Sequence, residues 1–203
     1  MAKGKMKKKS MSVDMTAMCD VSFLLLTFFV LTSTAKLPEP LPVDTPASTV
    51  QTKLPESNLA TVTVGEGKVF FGILGKNERI ETLEHIGEKY NIEFTDAEKR
   101  QFSFLEGIGT PVAGLKQFLN LSPDVITKAV QPGIPTDSID NQLKEWVQAA
   151  RVVTRDRNNK ILDVAIKGDA EEEYPKIKRV MDILQEQRVN KFFLVTGLRN
   201  EDF

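Results

Sequence analysis

One carboxylic acid stands in a stretch of chain whose other residues are mostly hydrocarbon. Asp20 lies within the run VDMTAMCDVSFLLLTFFVL at residues 13–31, and apolar residues follow it for nearly three helical turns. About 20 predominantly apolar residues are enough to cross a bilayer as a helix, and an ionised aspartate there costs roughly 2.5–3.5 kcal/mol. Because hydrocarbon surroundings favour the uncharged form of a carboxyl group, this position predicts a group that takes up and releases protons.

Three threonines share the predicted helical face of this carboxylate. Thr16 precedes Asp20 by one turn, and Thr27 and Thr34 follow it at steps of seven residues, close to two turns. The spacing predicts a polar stripe that faces a protein interior or a wet path. Two plainer interpretations remain open: Asp20 lies at the membrane edge, or the hydroxyls only bond carbonyls of their own helix.

The charges before the apolar run predict its orientation. Five lysines and no acid occupy the first ten residues: Lys3, Lys5, Lys7, Lys8 and Lys9. Positive charge beside a membrane helix stays in the cytoplasm, which predicts a cytoplasmic tail at residues 1–12 and a transmembrane helix at 13–35. A cleaved signal peptide is the alternative, and Asp14 and Asp20 argue against it. The basic tail is compatible with lipid contact, and we expect no nucleic acid as a partner.

The rest of the chain predicts a spacer followed by an exported α+β domain. Residues 36–57 hold half of the ten prolines and predict an extended linker. Residues 58–203 form the domain. Alternating and β-branched runs predict a hairpin at 59–64 and 68–74, then strands at 161–166 and 191–196 joined by a helix at 172–188. Strand, helix and strand in that order predict a crossover within one sheet. Four side chains on that helix are predicted to share one face, namely Tyr174, Ile177, Met181 and Leu184.

A helical insertion of about 75–136 separates the hairpin from the later strands. It reads as four short helices, at 78–89, 95–106, 111–120 and 123–130. Thr95 and Glu98 match a capping box, and Pro123 suits a first helical position. Four apolar side chains are predicted to form its local core, namely Phe102, Phe104, Phe118 and Leu121. A further helix is expected at 137–153, with Ser138 as N-cap and with Leu143, Trp146, Val147 and Ala150 inward.

Other chemistries have little support in the residues. The only cysteine is Cys19 and the only histidine is His85. There is no CxxC, HExxH, nucleophile elbow or phosphate loop. We therefore expect no metal, no cofactor and no enzymatic activity.

The membrane stretch resembles a known family. The run from Thr16 to Val21, TAMCDV, followed by LLL and FFV, is similar to the membrane helix of ExbD/TolR proteins, in which Asp20 matches the proton-carrying aspartate. Ala17 stands where the family usually has proline, and Cys19 where it often has isoleucine. The stretch VAIKGDAEEEYPKIKRVMDILQEQRVNKFFLVT resembles the periplasmic domain of the same family, at Lys167, Asp169, Tyr174 and the strand after them.

This resemblance implies a fold, a location and a function. The fold is a single transmembrane helix plus an α+β exported domain, a small sheet with packed helices, that carries the insertion. The location is the bacterial inner membrane, with a periplasmic domain. The function is a proton-channel subunit that uses the proton motive force to energise TonB-dependent outer-membrane transport. The implied partners are an ExbB/TolQ-like multi-span ring, a second copy in a homodimer and a TonB-like protein. Two alternatives stay open: a TolR-like envelope subunit acting at the cell wall, and a membrane-anchored binding module without proton transport.

Overall fold

The computed structural model describes residues 15–33, 39–48, 53–137 and 140–198. The chain divides into two compact units, Met1–Lys36 and Leu37–Phe203. The first contains helix α1, Met15–Thr32, and the second contains an α+β domain. The predicted fold class, an N-terminal apolar helix followed by a small sheet with packed helices, is therefore confirmed.

Helix α1 is apolar around most of its circumference. Its 18 residues correspond to a length of about 27 Å, against a hydrocarbon thickness of about 30 Å. No charged residue lies in its first or last turn, and none of its residues is buried within its unit. By length and composition it is the one candidate membrane span among the described residues.

The domain is built on a four-stranded mixed sheet in the order β3-β2-β4-β5. Strands β2 and β3 form the predicted antiparallel hairpin, while β4 runs parallel to β2 and β5 runs parallel to β4. Two residues, Glu66 and Gly67, make the hairpin turn, and both have positive φ, as two-residue hairpin turns of type I′ require. The strand bounds are Leu59–Gly65, Lys68–Ile73, Asp163–Gly168 and Phe192–Val195 for β2, β3, β4 and β5.

A second, two-stranded parallel sheet joins the start of the domain to its end. Strand β1, Ala47–Ser48, pairs with β6, Gly197–Leu198. The predicted linker of 36–57 therefore includes a segment, residues 39–48, that lies against the domain.

Six helices accompany the sheets in the described part of the domain. Their bounds are Lys76–Tyr90 for α2, Asp96–Ser103 for α3, Val112–Leu119 for α4, Pro123–Ile126 for α5, Gln142–Asn158 for α6 and Tyr174–Glu186 for α7. Helix α7 lies in the chain between the parallel strands β4 and β5, as predicted. The capping box at Thr95 and Glu98 is present, and Pro123 occupies the first turn of α5.

The predicted insertion is continuous with the core of the sheet. Leu83 and Ile86 of α2, Phe102 of α3 and Leu115 of α4 belong to the same buried cluster as Val62 in strand β2. The buried guanidinium of Arg79 donates to the Ile73 carbonyl at 2.8 Å and to the Ser103 carbonyl at 2.9 Å. Residues 75–136 are thus part of the domain core and not an appendage to it.

Helix α6 begins later than the pattern predicts. It starts at Gln142, and Asn141 is the N-cap, whose side chain accepts from the Lys144 N–H at 3.1 Å. Ser138, the predicted N-cap, lies outside the described residues. The inward residues are correct, since Leu143, Trp146, Val147 and Ala150 are all fully buried.

Two predicted core side chains are wrong, since Phe104 and Leu121 are 55% and 39% exposed. Tyr174, which was predicted only to share a face with Ile177, Met181 and Leu184, is 65% exposed. Phe104 follows the end of α3, where its ring meets the Lys76 ammonium at 4.9 Å. Tyr174 is the first residue of α7, one turn before the residues that reach the sheet. Strand β4 also starts two residues late, leaving Ile161 exposed.

Candidate functional site

Asp20 is the only ionisable side chain in α1 apart from the thiol of Cys19. It is the sixth of the helix's 18 residues and is exposed within its unit. The eleven residues after it, 21–31, are apolar except for Ser22 and Thr27. The helix therefore holds one carboxylate on a surface that is otherwise suited to lipid or to the apolar face of a partner.

The helical geometry places the threonines on the side of Asp20. At about 100° per residue, Thr16, Asp20 and Thr27 fall within an arc of about 40°. Thr34, the fourth predicted member of the stripe, lies outside the described residues. Ser22 and Thr32 are on other faces, so the polar groups of α1 are not evenly distributed around it.

Hydroxyls of α1 bond within their own helix. Thr27 Oγ1 donates to the Leu24 carbonyl at 2.9 Å, and Ser22 Oγ donates to the Met18 carbonyl at 2.8 Å. These two bonds match the interpretation in which the hydroxyls donate only to carbonyls of their own helix. A hydroxyl that donates still has lone pairs that accept, so Thr27 Oγ1 is able to accept a hydrogen bond from water on its face.

In the domain, Lys167 makes a contact across a long sequence distance. It lies near the end of β4, and its ammonium forms an ion pair with Glu39. Asp169, two residues later, donates its backbone N–H to the Val64 carbonyl at 2.9 Å, and its Oδ1 accepts from the Glu171 N–H at 3.0 Å. Lys167 and Asp169 thus hold the proline-rich segment and the loop before α7 against the sheet, whereas Tyr174 is exposed to solvent.

A buried carboxylate closes the hairpin end of the sheet. Glu172 Oε2 accepts from the Gly67 N–H at 2.7 Å, and its Oε1 lies 2.9 Å from Lys176 Nζ. Burial alone would raise the pKa of Glu172, but the hydrogen bonds from Gly67, Lys176 and Glu173 outweigh it and lower the pKa. Glu172 is therefore a structural anion that ties α7 to the β2–β3 turn.

A second buried carboxylate, Glu98, joins α3 to α4. It accepts from the Thr95 N–H at 2.8 Å and from the Asn120 side chain at 2.8 Å. Burial would raise the pKa of Glu98, but these hydrogen bonds and the nearby Lys116 charge together lower the pKa. The capping pattern predicts the Thr95 bond, whereas the Asn120 bond depends on tertiary packing.

The lowered pKa of Glu98 predicts how stability depends on pH. Its contribution is present above the unfolded value of about 4.3 and is lost as pH falls through the lower folded value. Replacing Glu98 with Gln should lower the free energy of unfolding by about 1–3 kcal/mol at pH 7 and by less near pH 3. Urea titrations of residues 37–203 at both pH values measure this. Glu93→Gln, in the loop before α3, is the control; an equal loss in both variants would contradict the assignment.

Metal-ligating groups do not cluster in the described part of the chain. No group of three or more His, Cys, Asp or Glu side chains there is arranged to hold a metal ion.

Comparison with known proteins supports one family. The family described as Biopolymer transport protein ExbD/TolR matches residues 6–198. No curated protein and no solved structure matches the chain. The family match covers both the helix that carries Asp20 and the domain, including the helical segment of 75–136. The chain therefore belongs to the ExbD/TolR family of biopolymer transport proteins.

Proposed function

We propose that this biopolymer transport subunit carries protons on Asp20, as the ExbD-type member of an inner-membrane motor. The observation that carries the proposal is the position of Asp20: a lone carboxylate in a candidate membrane helix, on one face with Thr16 and Thr27. The family implies an ExbB/TolQ-like ring around two copies of this helix, and a TonB-like protein that receives the motion.

The proposed cycle has two proton transfers. The Asp20 carboxylate takes a proton from the side of higher proton potential and becomes a neutral acid. The neutral form removes the main cost of placing this side chain against hydrocarbon or an apolar partner. Thr27 lies two turns farther along the same face, about 10 Å from Asp20 along the helix axis, so the proton leaves to the other side through water that the Thr27 hydroxyl can hydrogen-bond. Each charge that crosses releases about 2.3 kcal/mol per 100 mV.

Proton flux in vesicles tests the proposal directly. The full chain is co-purified and reconstituted with its multi-span partner, and a proton gradient is imposed. Flux should require both proteins, and native mass spectrometry of the same sample counts the copies of each. Tight co-purification with no flux under any gradient would instead support a membrane-anchored binding module.

The proposed orientation makes a separate prediction. With the N-terminal lysines in the cytoplasm, alkaline phosphatase fused after Lys36 should be active, whereas a fusion before Met11 should be inactive. A cytoplasmic reporter at the same two positions is the matched control and should give the opposite pattern. Phosphatase activity from the fusion before Met11 would reverse the topology and exclude a periplasmic domain.

A further inference from the structure

The second face of the four-stranded sheet is covered by the proline-rich segment of residues 39–48, called the strap below. The helices and the main core pack on the face that carries Val62. Thr61 and Thr63 alternate with Val62 along β2 and therefore point to the other face. There they line a cavity that is also lined by strap residues Glu39, Pro40 and Leu41.

An ion pair and close apolar packing hold the strap. Glu39 is paired with Lys167, and their side chains are only 28% and 19% exposed. A Cβ atom at Gly65 would lie 2.7 Å from Val43 Cγ1 and 2.9 Å from Leu41 Cδ2. The absence of a side chain at Gly65 is therefore what lets the strap reach the sheet.

The strap pairs over a shorter length than the strands beneath it. Its carbonyls at Asp44 and Pro46 accept from Ala170 and Gly197 at 2.8 and 2.9 Å, and β1 pairs with β6 over two residues. Pro40, Pro42 and Pro46 have no N–H to donate. Strands β2 and β4, in contrast, pair over six consecutive residues.

The packing beneath the strap is also incomplete. The cavity has a volume of about 260 Å³, and its lining includes Leu59, Thr63, Phe70 and Val195 from the sheet. A gap of this size is large enough to hold water, so the atoms that line it contact solvent on that side and not protein. Closure of the strap therefore gains less packing free energy than closure of a fully packed element would.

We propose that residues 39–48 form a releasable strap, held closed by the Glu39–Lys167 ion pair, which opens to expose the second sheet face while the four-stranded sheet stays intact. The prolines limit the freedom of the released segment, which lowers the entropic cost of closing again. Since the strap follows α1 in the chain, it is the first part of the domain to receive any pull from the membrane helix. This proposal does not depend on proton transfer by Asp20.

Cysteine accessibility tests the strap in the full chain. In a Cys19→Ala background, Thr63→Cys places a thiol under the strap, since Thr63 is 9% exposed and its Cα pairs in register with that of Lys167. Val62→Cys, on the core face and 0% exposed, is the matched control. The rate of maleimide labelling in detergent is measured for both.

Breaking the ion pair should raise the rate at one thiol only. With Lys167→Ala, we expect the thiol at position 63 to react about tenfold faster or more, because the labelling rate follows the open population and a charged hydrogen bond holds the closed state. Labelling at position 62 should not change. The exchange of charges, Glu39→Lys with Lys167→Glu, should restore slow labelling at position 63.

Two results would contradict the proposal that the strap is releasable. Equal rates at position 63 with and without Lys167 would show that the ion pair does not hold the segment. An equal rise in the labelling rate at position 62 would show that the whole domain opens instead. Neither result concerns proton flux. The strap proposal and the proposed function are therefore tested independently.

Discussion

Asp20→Asn is expected to abolish proton flux and energy-dependent transport while leaving insertion and assembly with the partner ring unchanged. Asparagine has nearly the shape of aspartate and makes hydrogen bonds, but it cannot take up and release a proton. If the carboxylate only pairs within a helix bundle, asparagine should serve about as well. The variant therefore separates a proton carrier from a polar anchor.

Asp20→Asn should be compared with variants on both faces of α1. Asp20→Glu keeps a titratable group one methylene farther from the backbone, and we expect it to retain a fraction of the flux. Thr27→Val should weaken flux less than Asp20→Asn, because its hydroxyl can only assist as an acceptor. Ser22→Ala lies on nearly the opposite face and should leave flux unchanged. The measurement is proton flux in vesicles that contain equal amounts of assembled complex; wild-type flux in Asp20→Asn would refute the proton-carrier proposal.

Local signals in the sequence predicted the elements whose partners are close in the chain. The hairpin, whose turn is Glu66–Gly67, and the Thr95–Glu98 capping box each involve residues within a few positions of one another. Their backbone requirements are visible in residue type alone. The helices and strands flanking them were placed to within a few residues for the same reason.

Signals that depend on tertiary contacts were missed. Phe104 reads as core by composition, yet α3 ends before it and its ring meets Lys76 at the surface. The strap reads as an extended spacer because of its prolines, and its attachment to Lys167 is made 128 residues away. For Asp20, the signals are the residue type, the apolar stretch and threonines around it, and the family resemblance of that stretch, and all of them lie in the local sequence.

The predicted insertion is a larger example of a feature that depends on tertiary contacts. A run of short helices between two sheet segments looks separable when only the sequence order is considered. In the domain, the Phe102 ring of α3 stacks on the Trp146 indole of α6 at 5.9 Å between centroids, and Phe71 of β3 lies 6.0 Å from the same indole. An aromatic cluster therefore ties the segment of 75–136 to the sheet and to α6.

Because of this cluster, we expect Phe102→Ala to destabilise the domain strongly. Phe102 is 6% exposed, and truncating a buried phenylalanine costs about 3–5 kcal/mol through lost transfer free energy and the cavity left behind. Against a total stability of about 5–15 kcal/mol, that loss should shift the urea midpoint of residues 37–203 strongly. Trp146 is the only tryptophan in the chain, so its fluorescence reports the packing of this cluster directly.

Phe104→Ala is the matched control, since it removes the same side chain two residues away. Phe104 is 55% exposed, and its contact with Lys76 is of the exposed cation–π kind, worth about 0.5–1 kcal/mol. If 75–136 were an independent insertion, Phe102→Ala would leave the Trp146 transition in place, as Phe104→Ala should. We expect instead that Phe102→Ala alone moves the fluorescence transition to much lower urea, because the insertion and the sheet unfold as one cooperative unit.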